Sequence, residues 1–161
     1  TIEEILGPID NQIITWIGDI NNVLISLLQA SQIFRFRLKI ASPKAILLKN
    51  KSVINKFKSI NIDFCSDPVD AIKKADCVMT DAWVSMGEKK STNKKKMFKN
   101  FQVNENLMQH THKKTIFMHC LPAHRNEEVT DSVIDSKMSA VWQQAQNRMY
   151  VQQSILNYCI G

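Results

Sequence analysis

Glycine, proline and cysteine are all scarce in this 161-residue chain, with four of each. Few glycines mean that tight turns must depend partly on Asn and Asp, which tolerate left-handed backbone conformations. The four cysteines, Cys65, Cys77, Cys120 and Cys159, are widely spaced in a chain that is long enough to fold without cross-links, so we expect free thiols. A reducing compartment, the cytoplasm, is therefore the expected location.

Long apolar runs are also absent. The longest apolar stretches fall far short of the roughly 20 residues that cross a bilayer. No basic segment leads into an apolar one at the N-terminus, so we expect neither secretion nor membrane association. Apolar residues still make up 44% of the chain, which is enough for a sizeable core, and the length predicts one compact domain.

Charge is biased towards the positive side, with a formal net charge of +6 that favours anionic partners. The basic residues include a lysine run made of Lys89, Lys90, Lys94, Lys95, Lys96 and Lys99. Only Phe98 and Phe101 lie in or near this run as platforms for stacked bases. We interpret the lysine run as a solvated loop and expect no nucleic-acid partner.

Short β-favouring runs alternate with helical patterns along most of the chain. The predicted strands are residues 13–17, 38–41, 62–65, 77–80 and 116–119. The predicted helices are residues 23–33, 51–59, 68–74 and 143–158, besides a short N-terminal helix in which Thr1 and Glu4 form a capping box. This alternation predicts an α/β fold: a doubly wound, mainly parallel five-stranded sheet with helices on both faces, a Rossmann-like three-layer sandwich.

The last predicted helix carries an apolar face that requires a packing partner. Ala145, Met149, Leu156 and Ile160 share this face, and Val151 and Ile155 widen it.

Polar residues collect directly after the predicted strands, where a parallel sheet of this kind binds its ligands. Asp81 follows one strand, and Ser85 and Gly87 come within the next six positions. A carboxylate can pair with an ammonium group while a hydroxyl and backbone amides donate to a carboxylate, so this loop suits a free amino acid. The alternative is that Asp81 and Ser85 cap the next helix.

A thiol follows another predicted strand, in the segment from His119 to His124. Zinc binding through His119, Cys120 and His124 would lack the fourth ligand that structural zinc sites normally have, so we predict no metal. A nucleophilic Cys120 is the second alternative, and ordinary ligand contact is the third. Dinucleotide binding is not supported, because Gly18 has no second or third glycine near it.

Four segments occur in the order found in ornithine carbamoyltransferases. They are Trp16-Ile-Gly18-Asp19-Ile-Asn21-Asn22, Asp81-x-Trp83-x-Ser85-Met86-Gly87, His119-Cys120-Leu121-Pro122 and Asn147-Arg148. The chain therefore resembles the ornithine-binding C-terminal half of that family over nearly its whole length. The Ser-Met-Gly and His-Cys-Leu-Pro segments together distinguish the ornithine enzymes from the related aspartate enzymes.

This resemblance implies a set of site residues and a reaction. The residues that would hold the α-amino and α-carboxylate groups of ornithine are Asn22, Asp81, Ser85 and Met86. Cys120 and Leu121 would face the reacting centre, and Arg148 would reach carbamoyl phosphate, so Cys120 and Arg148 are the catalytic candidates. The implied reaction gives citrulline and phosphate without a cofactor, in the synthesis or the breakdown of arginine.

The resemblance also implies that part of an enzyme lies outside this sequence. The family's carbamoyl-phosphate half carries Ser-x-Arg-Thr-Arg and His-Pro-x-Gln segments, and neither occurs here. We therefore expect residues 1–161 to form a single ornithine-binding domain, with the N-terminal carbamoyl-phosphate domain absent and little activity alone. The family's homotrimer would assemble largely through that other half. A non-catalytic amino-acid-binding or assembly fragment is the alternative.

Three departures from the family pattern fall inside the matched region. Ile20 replaces a small residue, and its branched side chain fits poorly if the backbone there requires a positive φ. The acidic segment before Asn147 is replaced by residues 143–146, which are Gln-Gln-Ala-Gln, so charges that would help to fix Arg148 are lost. The glycine expected before the second strand is absent, and residues 34–37 stand at that place.

Overall fold

Five parallel strands form one sheet in a computed structural model that describes residues 1–84 and 92–161. The strands are β1 Ile13–Ile17, β2 Arg37–Ala41, β3 Ile62–Cys65, β4 Cys77–Thr80 and β5 Ile116–His119. They lie in the order β3-β2-β1-β4-β5, and every neighbouring pair is parallel. The predicted parallel sheet is confirmed, and its predicted strand bounds agree with these to within one residue.

The strand order reverses at β1, which makes the sheet doubly wound. From β1 the chain builds outward through β2 and β3, and later through β4 and β5 on the other side. Because crossovers between parallel strands are right-handed, the two directions place their helices on opposite faces. Consecutive residues Ile14, Thr15, Trp16 and Ile17 are all at most 1% exposed. Since alternate side chains of a strand point to opposite faces, both faces of the sheet are covered.

Helices connect the strands and extend the chain after β5. They are α1 Ile2–Leu6, α2 Asn22–Phe34, α3 Lys44–Lys49, α4 Lys51–Phe57, α5 Pro68–Ile72, α6 Thr92–Phe98, α7 Glu105–Met108, α8 Asp131–Ile134 and α9 Val141–Ile160, with 3-10 turns at Ile9–Asn11 and Lys99–Phe101. None of the helices in the described ranges is long and apolar enough to cross a membrane.

The interpretation of the lysine run as a loop was wrong for residues 92–98, which form α6. Phe98 at the end of this helix is fully buried, and its ring stacks on Trp83 with the centroids 5.7 Å apart. Lys94 and Lys95 form ion pairs with Asp19 and Glu127, respectively. The buried ring of Phe98 therefore anchors a helix in a segment that we interpreted, from its lysines, as a solvated loop.

The ends of α1 and α2 differ from what the sequence predicted. The capping box at Thr1 was wrong, because no side chain caps α1. The Thr1 hydroxyl oxygen instead accepts a hydrogen bond from Asn147 Nδ2 at 2.8 Å. Helix α2 ends at Arg35, whose φ of 63° is the left-handed conformation that glycine usually supplies at this position. Arg35 lies in the segment where the family's glycine is absent.

Helix α9 leaves most of its length exposed. It begins two residues earlier than predicted, directly after Ala140, whose N–H donates to the Phe117 carbonyl of β5 at 2.8 Å. Met149 and Leu156 are 58% and 57% exposed, and Ile160 is 82% exposed. The apolar face that was predicted to require a packing partner is therefore uncovered in the part of the chain that the structure describes.

Asp76 gives a test of how the sheet is held together. Its Oδ2 accepts a hydrogen bond from the backbone N–H of Ile13 at 2.7 Å, and its Oδ1 lies 2.9 Å from His112 Nε2. Asp76→Ala would leave the N–H at the start of β1 without its partner, so we expect the free energy of unfolding to fall by about 1–3 kcal/mol. Urea denaturation followed by circular dichroism measures this loss.

Asp63→Ala is the matched control for that substitution. Asp63 forms an ion pair with Arg37 at 3.0 Å, but both side chains are half-exposed. An exposed pair of this kind contributes at most about 1 kcal/mol. Equal losses for the two variants would show that Asp76 is no more than a surface charge.

Candidate functional site

A cleft of about 480 Å³ lies beyond the carboxyl ends of β1, β4 and β5, which are neighbours in the sheet. The strand order reverses between β1 and β4, which is where a doubly wound sheet opens a crevice. The residues that line the cleft are Asn22, Val23, Asp81, Ala82, Val84, Cys120, Leu121, Pro122, His124 and Arg148. Its volume is within the usual range for small-molecule sites.

Most of the predicted site residues meet in this cleft. Asn22, Asp81, Cys120, Leu121 and Arg148 all line it, although they come from four separate segments of the chain. The two remaining predicted residues, Ser85 and Met86, lie outside the described ranges. Asn22, Asp81 and Cys120 come together because the carboxyl ends of adjacent parallel strands share one edge of the sheet. The roles that the family resemblance implies for these residues stay a prediction.

Asp81 is held by two donors from different parts of the chain. Its Oδ2 accepts a hydrogen bond from Asn21 Nδ2 at 2.8 Å, and its Oδ1 accepts one from the Cys120 thiol at 3.2 Å. Asn21 also caps α2, because its Oδ1 accepts from the Leu24 N–H at 3.1 Å. Residues 82–84 are not helical, so Asp81 does not cap a helix directly after it, and the capping alternative for Ser85 lies outside the described ranges. Sequence reasoning missed Asn21, although its position directly before a helix favours a capping side chain.

Cys120 is a protonated thiol at neutral pH. Burial raises its pKa to about 12, and the negative charge and hydrogen bond of Asp81 contribute in the same direction. The positive charge of Arg148 lowers the pKa by a smaller amount. A thiolate is the nucleophilic form of cysteine, so this environment disfavours the nucleophile alternative and leaves Cys120 as a neutral S–H group.

The segment after β5 has an unusual backbone that His119 supports. Leu121 has a φ of 51°, a conformation that is costly for a branched side chain, and its peptide bond to Pro122 is cis. His119 Nδ1 accepts a hydrogen bond from the Leu121 N–H at 2.9 Å. That bond places the ring proton on Nε2, which lies 3.3 Å from Glu128 Oε1.

Glu128 was not predicted as part of the site. Its side chain is fully buried, as is that of His119, and its Oε1 also accepts a hydrogen bond from the backbone N–H of His124 at 2.5 Å. Glu128 therefore holds the His124 end of the turn by a hydrogen bond and lies beside His119 at the other end, where Nε2 has no hydrogen-bond partner among the described residues. Beside Glu127 in the sequence it resembles a surface charge, and no local pattern indicates its burial.

The proposed zinc ligands do not form one cluster among the described residues. Asp81, His119 and Cys120 have potential ligand atoms within 4.8 Å of one another, while His124 groups with Glu127 and Glu128 instead. Both ring nitrogens of His119 face protein groups, and Glu127 is paired with Lys95. His119 Nε2 and Glu128 Oε2 have no hydrogen-bond partner among the described residues, and the absence of a metal stays a prediction.

The turn after β1 accommodates Ile20 without the strain that its branched side chain suggested. Gly18, rather than Ile20, adopts the unusual backbone conformation, with a φ of 152°. The Ile20 side chain is buried, and its N–H donates to Asp19 Oδ1 at 2.9 Å. Asp19 Oδ2 lies 2.7 Å from Lys94 Nζ. The turn is thus fixed on both sides.

Neutral amides replace the acidic residues expected before Arg148, and they anchor the helix rather than the guanidinium. Gln143 Nε2 donates to Glu4 Oε2 at 2.9 Å, and the Asn147 amide also donates to Glu4. Gln144 Oε1 accepts a hydrogen bond from the His119 N–H at 3.0 Å. Within residues 1–84 and 92–161, Arg148 has no hydrogen bond or ion pair, so its donors are available at the cleft.

The chain matches one protein family over almost its entire length. Residues 10–159 match the model of "Aspartate/ornithine carbamoyltransferase, Asp/Orn binding domain". An ornithine carbamoyltransferase of Rhodopseudomonas palustris is 48% identical over 100% of this chain and 52% of its own length. One from Mesorhizobium japonicum is 45% identical over 100% of this chain and 54% of its own length. The chain thus spans about half the length of these relatives.

Solved structures agree with the sequence matches. The ornithine carbamoyltransferase of Burkholderia thailandensis superposes with a TM-score of 0.84 at 38% identity, over 98% of this chain and 50% of its own. The enzyme of Pyrococcus furiosus gives a TM-score of 0.83 at 40% identity, over 96% of this chain and 51% of its own. Both likenesses again involve about half of the longer protein.

The raised pKa of Cys120 predicts slow alkylation that depends on Asp81. Asp81→Asn removes the negative charge next to the thiol, so the pKa should fall and more thiolate should form. We expect Cys120 to react with iodoacetamide about three- to tenfold faster at pH 8, because one pKa unit changes the thiolate fraction tenfold. Mass spectrometry of the Cys120 peptide measures the rate, with exposed Cys159 as the internal reference.

Asp10→Asn is the matched control, since Asp10 is exposed and lies outside the cleft. This control should leave the Cys120 rate unchanged. If Asp81→Asn also left it unchanged, Asp81 would have no effect on the thiol.

Proposed function

This chain belongs to the aspartate/ornithine carbamoyltransferase family, and we propose that it forms the amino-acid-binding half of an ornithine carbamoyltransferase. In this proposal residues 1–161 are a single ornithine-binding domain. The longer enzyme would transfer the carbamoyl group of carbamoyl phosphate to ornithine, which gives citrulline and phosphate. This reaction requires no cofactor.

The observation that carries the proposal is the fixed carboxylate of Asp81 at the switch point of the sheet. Asn21 and Cys120 donate to its two oxygens and so orient it at the edge of the cleft. A positioned carboxylate pairs well with the α-ammonium group of an amino acid. Asn22, whose amide both donates and accepts, lines the same cleft. In this proposal Ser85 and the backbone of Met86 complete the contacts to the α-carboxylate.

Arg148 and Cys120 have separate roles at the reacting centre. The neutral side-chain amine of ornithine attacks the carbamoyl carbon, a C–N bond forms, and the C–O bond to phosphate breaks with its electrons leaving on phosphate. The amine loses one proton, which the departing phosphate takes up. Arg148 suits the carbonyl or phosphate oxygens, because a guanidinium donates two parallel hydrogen bonds. Cys120 contributes a neutral S–H donor, and Leu121 shapes the pocket. Catalysis would come from positioning and from stabilising charge on the oxygens.

We further propose that the other half of a longer protein supplies the main contacts to carbamoyl phosphate and assembles a homotrimer. Two observations are consistent with this: the chain spans about half of its relatives, and the apolar face of α9 is uncovered. The thiols of Cys65, Cys77, Cys120 and Cys159 are all free, which supports a reducing compartment, and we propose the cytoplasm. A place in arginine metabolism follows only from the proposed reaction.

Calorimetric titration with ornithine tests the amino-acid site directly. We expect saturable binding to the unchanged chain and its loss in Asp81→Ala, because that substitution removes the partner of the ammonium group. Asp10→Ala, an exposed change outside the cleft, should bind as the unchanged chain does. Aspartate in place of ornithine should not bind. A folded chain that binds neither amino acid would contradict the ornithine site.

The same proposal predicts almost no catalysis by the isolated chain. With ornithine and carbamoyl phosphate both present, we expect no citrulline above background, because Arg148 alone offers few of the donors that phosphate requires. A colorimetric citrulline assay on the purified chain measures this. Substantial turnover would show that residues 1–161 contain a complete phosphate site.

A further inference from the structure

We propose that Gln144 is a positioning residue that sets where Arg148 stands over the cleft. The proposal rests on the proposed function only in giving Arg148 a role towards the substrate. The contact itself is a single hydrogen bond from the backbone of β5 to the first turns of α9. Nothing in the sequence pattern separates Gln144 from the neighbouring glutamines Gln143 and Gln146.

Gln144 supplies a hydrogen-bond acceptor to the outer edge of β5, which is the last strand of the sheet. On that edge the Phe117 N–H donates to the Met138 carbonyl at 2.7 Å, and the Ala140 N–H donates to the Phe117 carbonyl at 2.8 Å. The next N–H that points outward belongs to His119, two residues later, and no backbone carbonyl of the described residues accepts it. Gln144 Oε1 accepts it at 3.0 Å. His119 is fully buried, so an unpaired N–H there would be strongly disfavoured.

This hydrogen bond fixes α9 relative to the cleft. Residues four apart on a helix lie on the same face one turn apart, so Arg148 stands directly after Gln144 along α9. At the other end of the bond, His119 is followed at once by Cys120. The hydrogen bond of Gln144 therefore connects the helix that carries Arg148 to the strand end that precedes Cys120.

The other side-chain bonds of α9 to the rest of the described chain lead elsewhere. Gln143 and Asn147 bond to Glu4 and Thr1, which belong to α1 and its start rather than to the sheet. No hydrogen bond or ion pair among the described residues holds the guanidinium of Arg148. Its place over the cleft consequently depends on the helix backbone. That helix is tied to β5 by the Gln144 side chain and, just before its start, by the Ala140 N–H. In agreement, Arg148 is close enough to lower the pKa of the Cys120 thiol.

A double-mutant cycle on the unliganded chain tests this assignment. Gln144→Met removes the oxygen acceptor but keeps the length and helix propensity of the side chain. We expect the apparent pKa of Cys120 to rise, so that iodoacetamide alkylation at pH 8 to 10 slows by about two- to threefold. Arg148→Met should slow it by a similar factor. The double variant should be no slower than Arg148→Met alone, because Gln144 acts through Arg148.

Gln146→Met is the matched control on the same helix. Gln146 is exposed, and the side-chain bond it makes among the described residues is to Tyr150, so its substitution should leave the alkylation profile unchanged. Thermal unfolding by circular dichroism confirms that each variant is folded. If Gln144→Met does not fold, Gln144→Ala, another strong helix former, replaces it in the same cycle.

Two outcomes would overturn the proposal. Independent, multiplicative effects of the two substitutions would show that Gln144 does not act through Arg148. An unchanged rate in Gln144→Met or in Arg148→Met would show that the link between α9 and Cys120 does not exist. Because no ornithine is present, the result is separate from the titration above. Loss of ornithine affinity would contradict the proposed function and leave the cycle intact.

Discussion

All strands of the sheet run in one direction, and this constraint determines where the molecule can hold a ligand. Parallel neighbours cannot be joined by a tight turn, so each connection crosses a face and returns to the same starting edge. The carboxyl ends therefore gather on one side. Where the order reverses between β1 and β4, the loops separate and leave a crevice. Asn22, Asp81 and Cys120 enter that crevice from the segments that follow three different strands.

The same constraint explains which features the sequence could predict. Strands that are buried on both faces are continuous apolar runs, so their bounds were predicted almost to the residue. The site residues that directly follow strands could be placed together for the same reason. Helix α6 was missed because burial of one side chain, Phe98, outweighs a run of lysines. Asn21, Glu128 and Gln144 could not be ranked from sequence, since their partners are 60, 9 and 25 residues away along the chain.

The departures from the family pattern have different physical outcomes. In the turn after β1 the residue with a positive φ is Gly18 and not Ile20, so the branched side chain of Ile20 packs without strain. At residue 35 the left-handed conformation remains although arginine stands there, so the chain bears that conformational cost at the end of α2. Before Arg148, amides take over the anchoring of α9 without contributing negative charge. The guanidinium of Arg148 thereby loses the acidic partners expected from the family pattern, while α9 keeps its position.

Helix α9 also has a mechanical consequence. Its 20 residues span about 30 Å at 1.5 Å per residue, and its side-chain hydrogen bonds to other described elements come from the first two turns. The helix can therefore tilt about its first two turns, which lie beside the cleft. A tilt of about 5° about these turns moves the C-terminal end of the helix by roughly 2.5 Å over that length. A partner that holds the far end of α9 would therefore limit this tilt and, with it, the change in position of Arg148.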